Sequence, residues 1–159
     1  MKKVIIMRGL PGSGKSRYVR GLVEREGQVT VCSADHFFEK TRSHIAETGV
    51  YDEPYYDFDP RLLPQAHAAC MTAFMEALSV GDECVVVDNT NIERWQYQAY
   101  ELAARAVGYE VQIVEVMPQT LDELRLCAQR NSHSVPADVI GKMAIVFEHD
   151  DRATTISVN

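Results

Sequence analysis

The sequence predicts a three-layer α/β fold, in which a parallel β-sheet lies between two layers of helices. Two observations support this class. Short apolar runs of strand length alternate along the 159 residues with segments whose apolar residues recur at helical spacing. The first run, Val4 to Met7, leads through a glycine-rich turn into a helical stripe at Val19, Leu22 and Val23. A strand, a tight turn and a helix in this order form the opening unit of a parallel α/β sheet.

The turn after the first strand carries a phosphate-binding motif. Residues Gly9 to Ser16 read G-x-x-x-x-G-K-S, the pattern of a P-loop. Glycines let backbone N–H groups converge on phosphate oxygens, because no Cβ blocks the dihedral angles required. Lys15 would bind the β- and γ-phosphates, and the Ser16 hydroxyl would be a ligand of Mg²⁺. The predicted binding site for ATP therefore comprises Gly9, Leu10, Pro11, Gly12, Ser13, Gly14, Lys15 and Ser16.

Composition and net charge narrow the possible partners of the protein. The length predicts one domain, and the formal net charge of −7 with a pI of about 5.2 argues against sequence-blind binding along DNA. A nucleic-acid end held in a small groove remains compatible with that charge.

No segment has the length of a membrane span and the first residues lead directly into a strand, so we expect a cytoplasmic protein without a membrane partner or an obligate protein partner. Four scattered cysteines predict reduced thiols near the core.

The remaining secondary structure follows from short apolar runs and helix end signals. Further strands are predicted at residues 29–32, 84–87 and 111–116. Helices are predicted from Asp59-Pro60 to Gly81, from Asn91 to Gly108, from the capping box at Thr120 to Arg130, and around Val139 to Phe147. We expect residues 1–149 to form the domain and residues 150–159 to be a C-terminal tail or an edge strand.

Asp35 follows the second predicted strand. Ligands of an open parallel sheet bind beyond the carboxyl ends of its strands, so Asp35 is expected where an acceptor hydroxyl meets the γ-phosphate of ATP. A carboxylate there can take the proton of the hydroxyl during transfer. The alternative is that Asp35 caps a short turn through His36 and Phe38. One residue can do both.

The third predicted strand runs into Asp88, Asn89, Thr90 and Asn91. An apolar run that ends in aspartate resembles a Walker B strand, whose carboxylate helps to hold Mg²⁺ beside the P-loop serine. Asp88 is therefore the predicted second metal ligand after Ser16, with Asn89 left open as the alternative. Asn91 is predicted to cap the following helix.

Residues 38–59 show no clean periodicity and are predicted to form a long loop. The part from Gly49 to Phe58 is both aromatic and acidic. Its tyrosines are expected either to stack on a base of a nucleotide substrate or to pack the loop onto the body, and the sequence favours neither. Its carboxylates would repel an extended phosphate backbone.

Two helices around a short polar break at about residues 125–140 predict a lid. Arg130 lies at the edge of this lid, where its guanidinium could stabilise charge on the transferring phosphate. The alternative is that Arg130 is only a cation at the carboxyl end of a helix, where it interacts with the helix dipole.

The motifs at Gly9 to Ser16, Asp35, Asp88 to Asn91, and Arg130-Asn131 with Val135-Pro136 together resemble the P-loop kinases related to polynucleotide 5′-hydroxyl kinase. The resemblance covers nearly the whole chain. It implies a P-loop kinase fold with sheet order 2-3-1-4 and transfer of the ATP γ-phosphate to a hydroxyl, typically the 5′-OH of DNA or RNA. It also implies that Lys15 binds phosphate, Ser16 binds Mg²⁺, Asp35 is the general base and Arg130 is a lid arginine.

The sequence departs from this family on the acceptor side. Phage-type members carry an arginine before the catalytic aspartate and another three residues after it, where this chain has Ala34 and Phe38. A second lid arginine is missing around His133-Ser134. The nucleotide-binding half of the site matches better than the acceptor half.

The sequence therefore predicts an ATP- and Mg²⁺-dependent kinase with Lys15, Asp35 and Arg130 as catalytic residues. The leading acceptor is a hydroxyl of a nucleic acid, either a 5′-OH end or a hydroxyl on a modified base. The alternative acceptor is a small metabolite or a nucleoside, which the acidic charge and the missing arginines favour. A third hypothesis is a nucleotide-binding adaptor without transfer activity.

Overall fold

A parallel sheet forms the middle layer of the chain, as seen in a computed structural model whose described residues are 1–158. Its strands are β1 (Lys3–Gly9), β2 (Thr30–Cys32), β5 (Cys84–Asp88), β6 (Glu110–Val116) and β7 (Thr154–Ile156), and a separate antiparallel pair consists of β3 (Glu39–Ala46) and β4 (Gly49–Tyr56). The helices are α1 (Lys15–Glu26), α2 (Leu63–Val80), α3 (Trp95–Ala106), α4 (Leu121–Arg130) and α5 (Ala137–Val146).

The sheet order is β2-β5-β1-β6-β7, and every neighbouring pair is parallel. The four strands expected from the sequence therefore lie in the predicted order 2-3-1-4, since β5 and β6 are the third and fourth of them. The carboxyl-terminal segment adds β7 at the edge, beside β6. Met7 of β1 pairs with Asp88, the last residue of β5, and β1 continues past this pair to Gly9.

Alternate residues of β1 divide the core between the two faces of the sheet. Val4 and Ile6 pack with residues of α2 and α3, among them Phe74. Ile5 and Met7 point the other way and pack with residues of α1 and α4. Strands that are buried on both faces read as continuous apolar runs, which is why the sequence identified them. The three-layer architecture is confirmed.

Two helix starts follow the expected signals and one does not. Thr120 caps α4 by accepting a hydrogen bond from the Glu123 amide, as the capping box predicts. Asp59 caps a 3-10 turn that continues into α2. The prediction that Asn91 caps the next helix is wrong, because α3 begins after Arg94. The Asn91 side chain instead donates to the Met7 carbonyl at 2.7 Å and bridges two strand ends.

The prediction of a long loop at residues 38–59 is also wrong. This segment forms the antiparallel hairpin of β3 and β4, which a two-residue turn joins between Ala46 and Gly49. Nearly every residue of the hairpin is exposed. A strand without a buried face need not show alternating hydrophobicity, so the sequence pattern did not reveal it. The hairpin returns to its starting point where the Asp57 amide donates to the Phe38 carbonyl at 2.9 Å.

Arg8, the residue before the P-loop, is fully buried. Its guanidinium forms an ion pair with Glu115 of β6 and lies 4.6 Å from the ring centroids of both Tyr97 and Phe147. It also donates to three backbone carbonyls, those of Asn91 at 2.9 Å, Ile92 at 3.1 Å and Glu148 at 2.6 Å. Burial lowers the pKa of Arg8, and the charge of Glu115 opposes this shift. One side chain thus joins β1, β6, the segment before α3 and the segment after α5.

The carboxylate of Glu115 is equally well satisfied. Besides Arg8, its oxygens accept hydrogen bonds from the Asp150 amide at 2.8 Å and contact His149 Nδ1 at 3.1 Å. Asp150 continues the network, because it accepts from the Tyr97 hydroxyl at 2.7 Å. A hydrogen bond from Arg152 is the main cause that lowers the pKa of Asp150. The network fixes the segment that leads into β7.

Two further observations concern the cysteines and the helices. Cys32, Cys70, Cys84 and Cys127 are all buried free thiols. Burial raises the pKa of Cys32 to about 12, which keeps that thiol protonated and unreactive. In the part of the chain that the structure describes, every helix is too short or too polar to cross a membrane.

We predict that Glu115→Gln lowers the free energy of unfolding by about 3 kcal/mol, because it leaves the Arg8 guanidinium buried without a counter-ion. Urea denaturation at neutral pH measures this change. Glu110→Gln, an exposed substitution on the same strand, is the control and should change stability by less than about 0.5 kcal/mol. Equal effects of the two substitutions would contradict the role given to the buried pair.

Candidate active site

The P-loop packs tightly against two neighbouring elements. Gly12 has a φ of 74°, and a Cβ at this position would lie 2.0 Å from the Cys127 carbonyl oxygen of α4. A Cβ at Gly9 would lie 2.2 Å from the Val116 carbonyl oxygen at the end of β6. Both positions therefore require glycine on steric grounds. The P-loop therefore packs directly against the end of β6 on one side and against α4 on the other.

The first turn of α1 is open to an anion. Its N-cap is Gly14, which offers no side-chain cap, and the first turn contains no acidic residue. Backbone N–H groups at such a helix end, together with the helix dipole, suit phosphate. Ser13 Oγ is buried and finds no hydrogen-bond partner among the described residues. These features fit the triphosphate of a nucleotide.

Lys15 lies folded over the loop. Its ammonium donates to the carbonyls of Gly9 at 2.9 Å and Leu10 at 2.8 Å. Burial lowers the pKa of Lys15, while the negative charges of Asp88 and Asp35 oppose this shift. Both carboxylates therefore lie close enough to Lys15 to act on its charge, and they lie at or directly after the carboxyl ends of β5 and β2.

Asp35 lies in a 3-10 turn, Ala34–Phe37, directly after β2. The turn is capped by Ser33, whose hydroxyl accepts from the Asp35 amide at 3.2 Å, so Asp35 is not the N-cap. The Asp35 side chain is 44% exposed and is therefore accessible to a substrate. The Tyr56 hydroxyl donates to its Oδ1 at 2.8 Å, and His133 Nδ1 lies 3.3 Å from its Oδ2.

Tyr56 and His133 were not among the predicted site residues. Tyr56 is the last residue of β4, and His133 lies in the break between α4 and α5. Tyr56 belongs to the aromatic segment 49–58, and His133 lies where the resembling kinases have a second lid arginine. Neither signal indicated that both would contact Asp35, because that contact depends on how the hairpin folds back.

Asn89 positions the turn that carries Asp35. Its Oδ1 accepts from the Ala34 amide at 2.9 Å, and its Nδ2 contacts Cys70 Sγ at 3.5 Å. These contacts engage both the oxygen and the nitrogen of the Asn89 amide. Asp88, the residue before it, has the carboxylate that acts on Lys15. Burial raises the pKa of Asp88, and Lys15 opposes this shift. A half-buried carboxylate next to the P-loop fits a Mg²⁺ ligand.

Arg130 is the last residue of α4, and its Nε donates to the Gly12 carbonyl at 3.2 Å. This contact places the guanidinium beside the P-loop. The neighbouring Asn131 shapes the break after the helix, because its side chain accepts from the Val135 amide at 2.6 Å and donates to the Val135 carbonyl at 3.2 Å. The predicted lid thus consists of the end of α4, this break and the start of α5.

The fold and this pocket define a P-loop, kinase-like nucleotide-binding domain. The sequence model of the family described as “AAA domain” matches residues 4–149, and the chain belongs to this family.

Two curated relatives match nearly all of the chain. NEDD4-binding protein 2 of Homo sapiens is 28% identical over 155 residues, which cover 98% of this chain and 8% of the relative. The 2′,3′-cyclic-nucleotide 3′-phosphodiesterase of Pongo abelii is 34% identical over 155 residues, covering 94% of this chain and 32% of the relative. The chain therefore spans a third or less of the length of these relatives.

Solved structures with a similar fold include kinases. A gluconokinase from Sinorhizobium meliloti 1021 superposes with a TM-score of 0.58 at 15% identity, covering 98% of this chain and 82% of that one. A chain of the Pnkp1/Rnl/Hen1 RNA repair complex superposes with a TM-score of 0.65 at 16% identity, covering 92% of this chain and 44% of that one. At these identities the likeness shows a shared fold.

We predict that Lys15→Met weakens ATP binding about 100-fold, because the substitution removes charge-assisted contacts to the phosphates. Isothermal titration calorimetry with and without Mg²⁺ measures the change. Lys142→Met is the control, since Lys142 lies on the surface of α5 and pairs with Asp138. Unchanged affinity in Lys15→Met would show that the nucleotide does not use this loop.

Proposed function

We propose that this domain is an ATP-dependent phosphotransferase of the polynucleotide-kinase type, whose acceptor is a hydroxyl of a nucleic acid. The acceptor is either a 5′-OH end or a hydroxyl on a modified base. The observation that carries the proposal is geometric: Asp88 ends β5 beside β1, and the next residue, Asn89, holds the turn that carries Asp35, so both carboxylates lie at the edge of the sheet from which the P-loop and the open end of α1 begin. A nucleotide-binding adaptor would have no use for an accessible carboxylate at that point.

In this mechanism the P-loop binds the nucleotide. Backbone N–H groups at the start of α1 bind the phosphates, and Lys15 exchanges its carbonyl contacts with Gly9 and Leu10 for phosphate oxygens. Ser16 and Asp88 would hold Mg²⁺, which neutralises phosphate charge when it is bound. Because Lys15 is half-buried, its charge is screened less by water than that of a surface lysine.

Asp35 acts on the acceptor. It accepts the proton of the hydroxyl while the hydroxyl oxygen forms a bond to the γ-phosphorus and the bond from phosphorus to the ADP oxygen breaks. Arg130 lies beside Gly12 and is placed to stabilise the charge that develops on the transferring group. The products are ADP and a phosphate monoester.

One face of the hairpin carries side chains that suit a nucleic-acid acceptor, and Tyr56, whose hydroxyl contacts Asp35, lies on the other face of the same hairpin. The cross-strand pairs place Lys40, Arg42 and His44 of β3 on the same face as Tyr51 and Tyr55 of β4. The Arg42 guanidinium lies 4.7 Å from the Tyr55 ring centroid, and the His44 ring stacks on Tyr51 at 5.1 Å. Alternating cations and aromatic rings are the usual contacts to phosphates and bases of a single strand.

The carboxylates of the hairpin repel phosphate less than the sequence indicates. Asp52 lies on the opposite face, where it accepts from the Ser43 hydroxyl at 2.7 Å. Asp57 pairs with Lys40 at 2.6 Å, and Glu53 contacts His44 at 2.8 Å. The face is therefore close to neutral, with Arg42 as its main cation. This balance suits a short single-stranded end and not a long duplex.

A small-molecule acceptor is the second candidate, and the positions of Ala34 and Phe38 favour it. These residues stand where the resembling kinases carry arginines that bind the phosphate of the acceptor. Here both are buried in the core, at 7% and 1% exposure. A small alcohol or nucleoside would not need those arginines. Gluconokinase shows that the same fold occurs in a kinase named for a small-molecule substrate.

We predict that Asp35→Asn lowers the rate of phosphate transfer by about 100- to 10,000-fold while ATP binding persists, because the amide cannot accept the proton. Transfer of labelled γ-phosphate and calorimetry measure the two effects separately. Asp151→Asn, an exposed position outside the predicted lid, is the control and should leave both unchanged. Transfer at the normal rate by Asp35→Asn would contradict the mechanism.

A panel of acceptors tests the substrate class. We predict that labelled phosphate passes to single-stranded DNA or RNA with a free 5′-OH, or to hydroxymethylated DNA, in preference to nucleosides and sugars. Arg42→Ala should weaken binding of the preferred oligonucleotide and lower its logarithmic salt dependence by about 0.7 for each phosphate that the variant no longer neutralises. Arg125→Ala on α4, where Arg125 pairs with Asp122, is the matched control. Preferential labelling of a sugar or nucleoside would support the second candidate.

A further inference from the structure

We propose that the ring of Tyr56 is the stacking platform for the terminal base of the acceptor, and that His133 of the lid occupies this platform in the ligand-free protein. The inference rests on the proposed function and adds a binding subsite to it. The ligand of this subsite is a nucleoside unit, in which a planar base lies one sugar away from the reacting hydroxyl.

The contacts show a stacked pair of rings above one carboxylate. The rings of Tyr56 and His133 are nearly parallel, with an interplanar angle of 8° and centroids 4.3 Å apart. The polar edges of both rings point to Asp35, with the Tyr56 hydroxyl at 2.8 Å from Oδ1 and His133 Nδ1 at 3.3 Å from Oδ2. Both oxygens of the proposed general base are thus in contact with this pair.

A general base must present an oxygen at about 2.6 to 3.2 Å from the acceptor hydroxyl. Because the His133 ring is stacked on Tyr56 and also contacts Oδ2, an acceptor whose base stacks on that side of Tyr56 has to replace His133. If His133 leaves, a single movement frees Oδ2 for the hydroxyl and exposes the ring of Tyr56 for a base. A nucleoside unit carries both a hydroxyl for Oδ2 and a planar base for the ring, whereas a sugar alone has no base to stack.

Tyr56 is the fixed member of the pair. It closes the hairpin by pairing with Glu39, and its ring packs edge-on against buried Phe38 with centroids 5.9 Å apart. Burial and the hydrogen bond to Asp35 raise the pKa of Tyr56, so its hydroxyl remains a donor. A donor on Oδ1 orients the carboxylate without taking Oδ2. Tyr56 is therefore a positioning residue as well as a platform.

His133 is the member that can move. It lies in the irregular break between α4 and α5, and its side chain is 36% exposed. Its contact with Asp35 is longer than the one that Tyr56 makes. The next residue, Ser134, has a φ of 55°, a backbone conformation that is uncommon for a residue other than glycine. Because the hydrogen bonds from Asn131 to Val135 do not involve His133, the His133 side chain can rotate away from Asp35 while the backbone of the break stays in place.

A fluorescence experiment tests the subsite without ATP, so it does not depend on phosphate transfer. The probe is a 5′-hydroxyl DNA trinucleotide with 2-aminopurine as its first base, whose emission falls when the base stacks on an aromatic ring. We expect wild-type protein to quench the probe and His133→Ala to bind it about fivefold more tightly. We expect Tyr56→Leu to abolish the quench and to weaken binding about tenfold.

Two further variants complete the design. Tyr56→Phe keeps the ring, so it should retain the quench but lower kcat for transfer with little change in the KM for the acceptor. His67→Ala, on the exposed side of α2, should behave as wild type. Thermal unfolding of each variant shows whether it is folded, and Tyr56→Phe remains informative if Tyr56→Leu is not.

Each outcome decides the inference. A quench that survives in Tyr56→Leu, or an absence of quench in all variants, would overturn the platform. Weaker binding or a lower kcat in His133→Ala would overturn the placeholder role and make His133 a support for Asp35. If no acceptor is phosphorylated in the panel but the Tyr56-dependent quench is present, the proposed function fails and the subsite stands. If transfer occurs without that quench, only the subsite fails.

Discussion

The buried guanidinium of Arg8 is the interaction on which the arrangement of the active site depends. A charge in the core is stable only if ion pairing and hydrogen bonds replace the water that surrounded it in the unfolded chain. Arg8 satisfies this requirement with Glu115, with three backbone carbonyls and with two aromatic rings. Because Arg8 immediately precedes the P-loop, these contacts fix the point from which the loop begins.

The same principle extends across the carboxyl edge of the sheet, where polar side chains hold loops in place. Asn91 joins the end of β1 to the segment before α3, and Asn89 holds the turn that carries Asp35. On the other side of the P-loop, Gly12 lies directly against the Cys127 carbonyl of α4. The P-loop, the Asp35 turn and α4 are therefore held in fixed positions relative to one another. Rigid elements of this kind position reacting groups more accurately than free loops do.

The sequence predicted those parts of the fold that have a local physical signal. Strands buried on both faces produced apolar runs, the P-loop showed its glycines, and the capping box at Thr120 marked the start of α4. The hairpin was missed because exposed strands carry no such pattern, and Asn91 was misassigned because a good capping residue was used as a bridge between strands. Both errors concern interactions that only the tertiary structure creates.

The site was predictable to a similar extent. Lys15 and Asp35 follow from motif position and strand order, and they lie at the start of α1 and directly after β2. Tyr56 and His133 could not be predicted, because they reach Asp35 from a hairpin and from a lid that are distant in sequence. The nucleotide side of such a site is encoded locally by one loop, whereas the acceptor side is assembled from separate segments. This difference explains why the class of protein is clearer from the sequence than the acceptor.

The central claim is that the P-loop and Asp35 face the same reacting phosphorus. The most direct test is the crystal structure of the protein with Mg²⁺ and a non-hydrolysable ATP analogue, in which the distance from the nearest Asp35 carboxylate oxygen to the γ-phosphorus is measured. We expect a separation of about 5 to 6 Å, which leaves room for one hydroxyl between the two groups. A γ-phosphate separated from Asp35 by protein atoms, or a carboxylate that faces away from it, would contradict the claim.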